Sequence, residues 1–198
     1  MPSVLGLSAW RLLIATCGFV GFGFAVATLH DPWPALSQQA SLLAGVAYLV
    51  VAALGRRAER VSTWLRGATT VLLLLVCVTY LTVIGGDLDT TSSQFEHLVT
   101  PLLALVDWVA AGRTRTVRWW DPVSWVVFPL AYLIYFVLAD VQLYRGFLDP
   151  ASTDFGLTVG AFLLALVAAG YLLYGIAKAR PVRPVPRAES LFAAEEAR

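Results

Sequence analysis

The sequence predicts an all-α polytopic membrane protein with six transmembrane helices and both termini in the cytoplasm. Its 198 residues are 59% hydrophobic and only 14% charged, whereas a soluble domain averages about 25% charged residues. The apolar residues are gathered in six runs of roughly 20 residues, the length that a helix needs to cross a bilayer. Lysine and arginine are concentrated in alternate connections between these runs, which is typical of cytoplasmic loops.

The six apolar runs define the predicted spans in chain order, and they form one domain at 1–178. The first span is followed by Asp31-Pro32-Trp33-Pro34, in which the prolines block continuation of the helix. We expect this span to be retained, because its apolar part exceeds the roughly 7–15 residues of a signal-peptide core. The basic, proline-rich segment 179–198 is predicted to be a disordered cytoplasmic tail. The predicted spans are 8–29, 35–55, 61–84, 93–111, 122–141 and 155–177.

The distribution of basic residues predicts the orientation. The connections after spans one and three contain no lysine or arginine, and the connection after span five contains only Arg145. Cytoplasmic loops are enriched in these residues, so we predict a multi-pass protein of the plasma or inner membrane. The basic residues of the other connections and of the tail are Arg56, Arg57, Arg60, Arg113, Arg115, Arg118, Lys178, Arg180, Arg183 and Arg187.

The composition also argues against several function classes. The net charge is +1 and there is no basic face, so nothing indicates a nucleic-acid partner, and no protein partner can be inferred. Cys17 and Cys77 lie in apolar runs, where free cysteines usually serve as small buried residues. No metal-type cluster is present and we expect no cofactor. Haem ligation by His30 and His97 is disfavoured, because both lie near one surface and His30 is in a turn.

Two polar groups lie at similar predicted depth below the outer surface. Ser37-Gln38-Gln39 occupies the first turn of span two, and His97 lies about one turn into span four. Serine and histidine are the residue types of a nucleophile and its general base. Two simpler interpretations remain open: Ser37 as a helix-capping residue, and His97 as an interfacial residue facing lipid headgroups.

Three carboxylates lie at positions that could influence His97. Glu96 is expected to point about 100° away from His97 around an α-helix, which makes it a poor orienting partner. Asp140, near the outer end of span five, is at the right depth to orient His97. Asp107 lies roughly 15 Å deeper, so we expect it to snorkel or to pair with an arginine. Arg11 is expected to snorkel to the inner surface.

Three local patterns together resemble a known family. The first is 97–108, in which Pro101 follows the histidine by four residues and Asp-Trp ends the stretch. The second is Phe128-Pro129-Leu130-Ala131-Tyr132-Leu133-Ile134-Tyr135, followed by Phe147-Leu148-Asp149-Pro150 in the next loop. The third is 36–43 at the start of span two. These patterns resemble the six-span bacterial branch of the family that includes the androgen-induced protein and the androgen-dependent TFPI-regulating protein.

The resemblance implies an intramembrane hydrolase of lipid esters, such as fatty acid esters of hydroxy fatty acids. In that family a threonine at the start of span two is the nucleophile and a histidine is its base. By position, Ser37 stands where the family has threonine, and His97 matches the histidine. Serine departs from the family pattern but keeps the hydroxyl. Ser41, one turn further on, is the alternative position for the nucleophile.

The leading hypothesis is therefore a lipid-ester hydrolase in which Ser37 attacks the ester carbonyl and His97 transfers the proton. Gln38 or Gln39 could donate to the oxyanion, and the further candidates for substrate contact are Ser41, Thr100, Tyr132 and Asp140. The expected partners are membrane lipids and the lipid ester substrate. The alternative is a non-catalytic protein that binds lipid or carries a small molecule. A purely structural subunit is a third interpretation, and a transporter is disfavoured because no pair of broken helices occurs in matching halves.

Overall fold

The computed structural model describes residues 4–54, 58–111 and 116–179, and these residues form helices and turns without any strand. The first three helices are α1 (Val4–Thr28), α2 (Leu36–Leu54) and α3 (Glu59–Val78). Helix α3 continues into a π-helical segment, π1 (Thr79–Ile84). The all-helical prediction is confirmed for the described part of the chain.

The next helical stretch, 91–111, alternates between α and π geometry without a break, and we call it the composite helix. The last three helices are separated from one another by two turns, one at 125–126 and one over 139–154. The segments of the composite helix are α4 (Thr91–Gln94), π2 (Phe95–Val99), α5 (Thr100–Val106) and π3 (Asp107–Ala111). The last three helices are α6 (Asp121–Ser124), α7 (Val127–Leu138) and α8 (Phe155–Ala179).

Five helices of the described residues are long and apolar enough to cross a membrane, which supports a multi-pass membrane protein. The composite helix is not among these five helices. It carries Glu96, His97 and Asp107, which make it less apolar than the others. The five helices are Gly6–Thr28, Leu36–Leu54, Glu59–Ile84, Asp121–Leu138 and Phe155–Ala179.

The predicted fifth span is interrupted rather than continuous. Residues Trp125 and Val126 form a turn between α6 and α7. Pro129 lacks the N–H that would bond the carbonyl four residues earlier, and a proline is best tolerated in the first turn of a helix. Helix α7 therefore begins at Val127 as a separate helix. It ends at Leu138, earlier than predicted, and Asp140 then adopts a left-handed conformation with φ of 51°.

The bundle is built around α3, which contacts α2, the composite helix, α7 and α8. Helices α1 and α2 pack closely because small residues meet at their interface. A Cβ atom at Gly18 would lie only 2.7 Å from the backbone oxygen of Ser41. Any larger residue at Gly18 would therefore force the two helices apart.

A buried cluster of charges joins α1, α3 and the composite helix. Arg66 is 1% exposed and its guanidinium donates to the carboxylate of Asp107, which is fully buried, and to the Asp107 backbone oxygen at 2.8 Å. The Nε atom of Arg11 lies 3.9 Å from the same carboxylate. The prediction that Asp107 pairs with an arginine is confirmed. The prediction that Arg11 snorkels is wrong, because its side chain is buried beside Asp107.

Several predictions concern residues outside the described ranges. The predicted disordered tail, 179–198, falls there except for Ala179, which ends α8. The same holds for four of the loop arginines on which the predicted orientation depends: Arg56, Arg57, Arg113 and Arg115.

Replacing Asp107 with asparagine should destabilise the protein strongly. Removing one partner of a buried ion pair costs about 3–5 kcal/mol, since the remaining charge is left without compensation. Asp107→Asn leaves two buried guanidinium groups without an anion, whereas Arg66→Met leaves Arg11 beside the carboxylate. The free energy of unfolding in detergent should therefore fall more for Asp107→Asn than for Arg66→Met.

The exposed Asp140–Arg145 pair is the matched control, and Asp140→Asn should cost at most about 1 kcal/mol. Equal losses for Asp107→Asn and Asp140→Asn would contradict the structural role given to the buried cluster.

Candidate functional site

A cavity of about 1310 Å³ lies at the end of the bundle where α2 begins. Its walls come from the start of α2, the end of α3 with π1, the first half of the composite helix, α7, the turn segment 139–148 and the first half of α8. Most of the lining side chains are apolar. The apolar lining residues include Leu75, Val76, Val83, Leu133, Leu143, Phe162 and Leu163.

Two tyrosines hold the start of α2 in place at this cavity. The Tyr132 hydroxyl donates to the Pro34 backbone oxygen at 2.7 Å. The Leu36 backbone N–H donates to the Tyr144 hydroxyl at 3.1 Å. The first N–H groups of a helix have no partner within the helix, so Tyr144 satisfies one of them. Both contacts fix the turn that presents Ser37.

The carboxylate of Glu96 lies between the polar residues of α2 and His97. The Nε2 atom of Gln38 donates to Glu96 Oε2 at 2.9 Å, and the Ser37 side chain interacts with the same carboxylate. The Nε2 atom of His97 lies 4.0 Å from Glu96 Oε2. All four side chains are buried and line the cavity. Glu96 is therefore the residue that brings the predicted nucleophile and the predicted base together.

The prediction that Glu96 points away from His97 is wrong, because residues 95–99 are π-helical. A π-helix has i→i+5 hydrogen bonds and more residues in each turn than an α-helix. Successive side chains are therefore separated by a smaller angle, and Glu96 and His97 both face inward. Gly21 of α1 allows this close packing, since a Cβ atom there would lie 3.1 Å from Glu96 Cγ.

The His97 ring is held by a second residue that the sequence did not indicate. Tyr80 of π1 stacks on it, with ring centroids 3.5 Å apart and ring planes 4° apart. The Tyr80 hydroxyl donates to the Asp87 backbone oxygen at 2.8 Å and accepts from Ser93 Oγ at 3.0 Å. These contacts fix the plane of the imidazole. No periodicity or motif marks Tyr80 as a partner of His97, because the contact depends on two π-helical segments.

The structure separates the predicted site residues into two groups. Ser37, Gln38, His97, Tyr132 and Asp140 line the cavity, whereas Gln39, Ser41 and Thr100 do not.

Each residue outside the lining has a structural reason for its position. Gln39 turns outward and donates to the Trp33 backbone oxygen at 2.7 Å. Ser41 and Thr100 are fully buried between helices. The orienting role predicted for Asp140 does not hold, since its side chain is 73% exposed and pairs with Arg145 rather than with His97.

No hydrogen bond within the described residues joins the Ser37 hydroxyl directly to His97; both instead contact the Glu96 carboxylate. No group of three potential metal ligands occurs in the part of the chain that the structure describes. Comparison with protein-family models, with curated proteins and with solved structures finds no match for this chain. What the site can do must therefore be argued from its own geometry.

Replacing Gln38 with leucine should destabilise the protein by about 1–3 kcal/mol, the cost of leaving a buried polar group without a hydrogen bond. The affected group is the Glu96 carboxylate, which accepts from Gln38. Gln39→Leu is the matched control, because it removes the same side chain one residue later and its bond lies on the exposed side. Denaturant unfolding in detergent should show a clear loss for Gln38→Leu and a much smaller one for Gln39→Leu, and the reverse order would contradict the geometry.

Proposed function

We propose that this protein is an intramembrane hydrolase of lipid esters, with Ser37 as nucleophile and the Glu96–His97 pair as the group that receives its proton. The observation that supports this most directly is that Ser37 and His97 line one cavity and both contact the Glu96 carboxylate. A serine hydroxyl becomes an effective nucleophile when a neighbouring base accepts its proton. The family resemblance implies the same two residues, and Glu96 is added by the structure.

In the proposed reaction, Ser37 Oγ forms a bond to the acyl carbon as the bond from that carbon to the alcohol oxygen breaks. The Ser37 proton passes to the Glu96–His97 pair and from there to the departing alcohol oxygen. Water then attacks the acyl carbon and its proton passes to the pair. As the bond from the acyl carbon to Ser37 Oγ breaks, the pair gives this proton to Ser37 and the fatty acid leaves. Each step balances without any cofactor.

The oxyanion donors would be backbone groups at the start of α2. Gln38 Nε2 already donates to Glu96, and Gln39 lies outside the cavity. The N–H groups of Ser37 and Gln38 belong to the first turn of α2, where helical N–H groups have no partner within the helix. Such groups stabilise developing negative charge. In this proposal these N–H groups take the oxyanion-binding role that the sequence predicted for the side chains of Gln38 or Gln39.

The lipid would reach the site from the bilayer, beside α8. The second half of α8 is anchored to the bundle, for example by the bond of 3.0 Å from Trp108 Nε1 to the Leu173 backbone oxygen. The first half of α8 lines the cavity but exposes large apolar residues, with Leu157 76% and Leu164 71% exposed. Both π1 and the first half of α8 contribute apolar side chains to the wall there, among them Val83 and Ile84 of π1 and Val159 and Phe162 of α8.

The proposal includes six spans, with the composite helix as the fourth and both termini in the cytoplasm. In the composite helix the ionisable side chains Glu96, His97 and Asp107 are buried, while Leu102 and Val106 are exposed. This is the arrangement that a membrane requires, because charged groups facing lipid are costly. The distribution of basic residues supports this orientation, and the proposed location is the plasma or inner membrane.

The second candidate is a lipid-binding protein without catalysis. It is favoured by one observation, the absence of a direct Ser37–His97 hydrogen bond in the described residues. In that case Gln38 and Glu96 would recognise a hydroxyl group on the lipid, and Ser37 would only contribute to that recognition. Turnover of an ester separates the two candidates.

Ser37→Ala should abolish ester hydrolysis by the purified protein, and His97→Ala should lower kcat about 10²–10⁴-fold, the usual contribution of a general base. Ser41→Ala is the matched control, because Ser41 lies one turn along the same helix but outside the cavity, and it should retain full activity.

A fluorophosphonate probe should label the unmodified protein at Ser37 and fail to label Ser37→Ala. Lipid that co-purifies tightly without turnover or labelling would favour the non-catalytic candidate.

The six-span arrangement predicts that residues flanking the composite helix lie on opposite sides of the membrane. A membrane-impermeant thiol reagent should label Asp87→Cys in intact cells but label Trp119→Cys only after permeabilisation. Both positions are exposed in the structure, so access to the residue itself is not limiting. Labelling of both variants in intact cells would mean that the composite helix does not cross the membrane.

A further inference from the structure

The charged residues that line the cavity are acidic. Three carboxylates contribute to its walls: Asp31, Glu96 and Asp140. None of the lysine or arginine residues in the described ranges is a lining residue. A cavity that binds phosphate or carboxylate groups would be expected to present arginine or lysine. This one presents none from the part of the chain that the structure describes.

The basic residues of the described ranges are engaged elsewhere. Arg11 and Arg66 are buried with Asp107, and Arg60 pairs with Asp121. Lys178 Nζ donates to the Val117 backbone oxygen at 2.9 Å. Arg145 pairs with Asp140 at the rim of the cavity. An anionic group inside would therefore lose its hydration and meet carboxylates instead of cations, which is a costly environment.

The carboxylates at the cavity have partners within the protein, and that of Asp31, which is exposed, accepts from the Trp33 backbone N–H at 3.1 Å. Glu96 is buried and contacts Gln38, Ser37 and His97. The carboxylate of Asp140 is neutralised by Arg145. The remaining polar groups on the walls are the Gln142 amide and hydroxyls, including those of Tyr132 and Tyr144. Groups of this kind recognise hydroxyl and carbonyl oxygens of neutral molecules.

We infer that the part of the lipid held in this cavity carries no negative charge, so that the substrates are esters of fatty acids with fatty alcohols or with glycerol. A cavity of 1310 Å³ exceeds the roughly 300–1,000 Å³ of sites for drug-sized ligands and can hold a long acyl chain. The ester itself rests on the proposed function, but the selection against charge does not depend on cleavage. Fatty acid esters of hydroxy fatty acids, which the family resemblance implies, carry a free carboxylate and should be disfavoured when that group lies close to the ester.

The inference can be tested with non-hydrolysable ethers, so that binding is measured without catalysis. Two ethers of equal chain length carry, on the fifth carbon from the ether oxygen, either a methyl ester or a free carboxylate. Each competes at pH 9 with a neutral photo-crosslinking lipid for the detergent-solubilised full-length protein. The methyl ester should bind at least tenfold more tightly than the carboxylate. Equal or tighter binding of the carboxylate would overturn the inference.

A variant that adds a cation to the wall gives an independent check. Leu143 lines the cavity and is 58% exposed, so Leu143→Lys should fold normally. It should improve binding of the carboxylate relative to the methyl ester at least tenfold, whereas the matched neutral variant Leu143→Gln should not. An unchanged ratio in Leu143→Lys would contradict the charge argument.

The corresponding esters separate this inference from the proposed hydrolase. If the neutral ether is preferred but the neutral ester is not cleaved, the hydrolase is wrong and the charge selection stands. If the esters are cleaved but the ethers show no preference, the hydrolase stands and the charge selection fails.

Discussion

The buried ion pair between Arg66 and Asp107 is the interaction on which the rest of the structure depends. It joins α3 to the composite helix in a dry interior, where a charge without a partner costs several kcal/mol. Arg11 adds a second cation beside the same carboxylate and so brings α1 into the arrangement. These helices are therefore joined at the level of Asp107, and the end of α3 and the first half of the composite helix go on to line the cavity.

Each of the three π-helical segments carries a residue of the cavity wall or of the buried charge cluster. Segment π1 contains Tyr80, π2 contains Glu96 and His97, and π3 contains Asp107. Single π turns are rare and occur frequently at functional sites. In π2 the wider turn directs two successive ionisable side chains inward, which a regular α-helix would not do. The departure from α geometry is thus what creates the contact between Glu96 and His97.

The cavity combines a small polar group with a large apolar surface. The polar group is formed by Ser37, Gln38, Glu96 and His97, and it occupies one part of the wall. Tyr132 of α7 and Tyr144 of the 139–154 turn segment hold the start of α2. The position of Ser37 therefore depends on the 139–154 turn segment as well as on α2 itself. The geometry of the site is therefore set by the packing of α2 against α7 and the 139–154 turn segment.

The sequence by itself determined the class of protein and the ends of most helices. Apolar runs of membrane length predict helices because the backbone must satisfy its own hydrogen bonds in lipid, and proline and glycine mark where they stop. It also identified Ser37, Gln38 and His97, because polar residues within apolar runs are conspicuous.

Only the tertiary structure decided which polar residues meet. Glu96 was assigned to the wrong face because π geometry is set by contacts between helices and not by local spacing. Gln39, Ser41 and Thr100 were excluded from the cavity by the rotation of their helices, and Tyr80 was found only through its stack on His97. Side-chain partners across helices depend on how the helices pack, and that packing is not encoded in any single stretch of the chain.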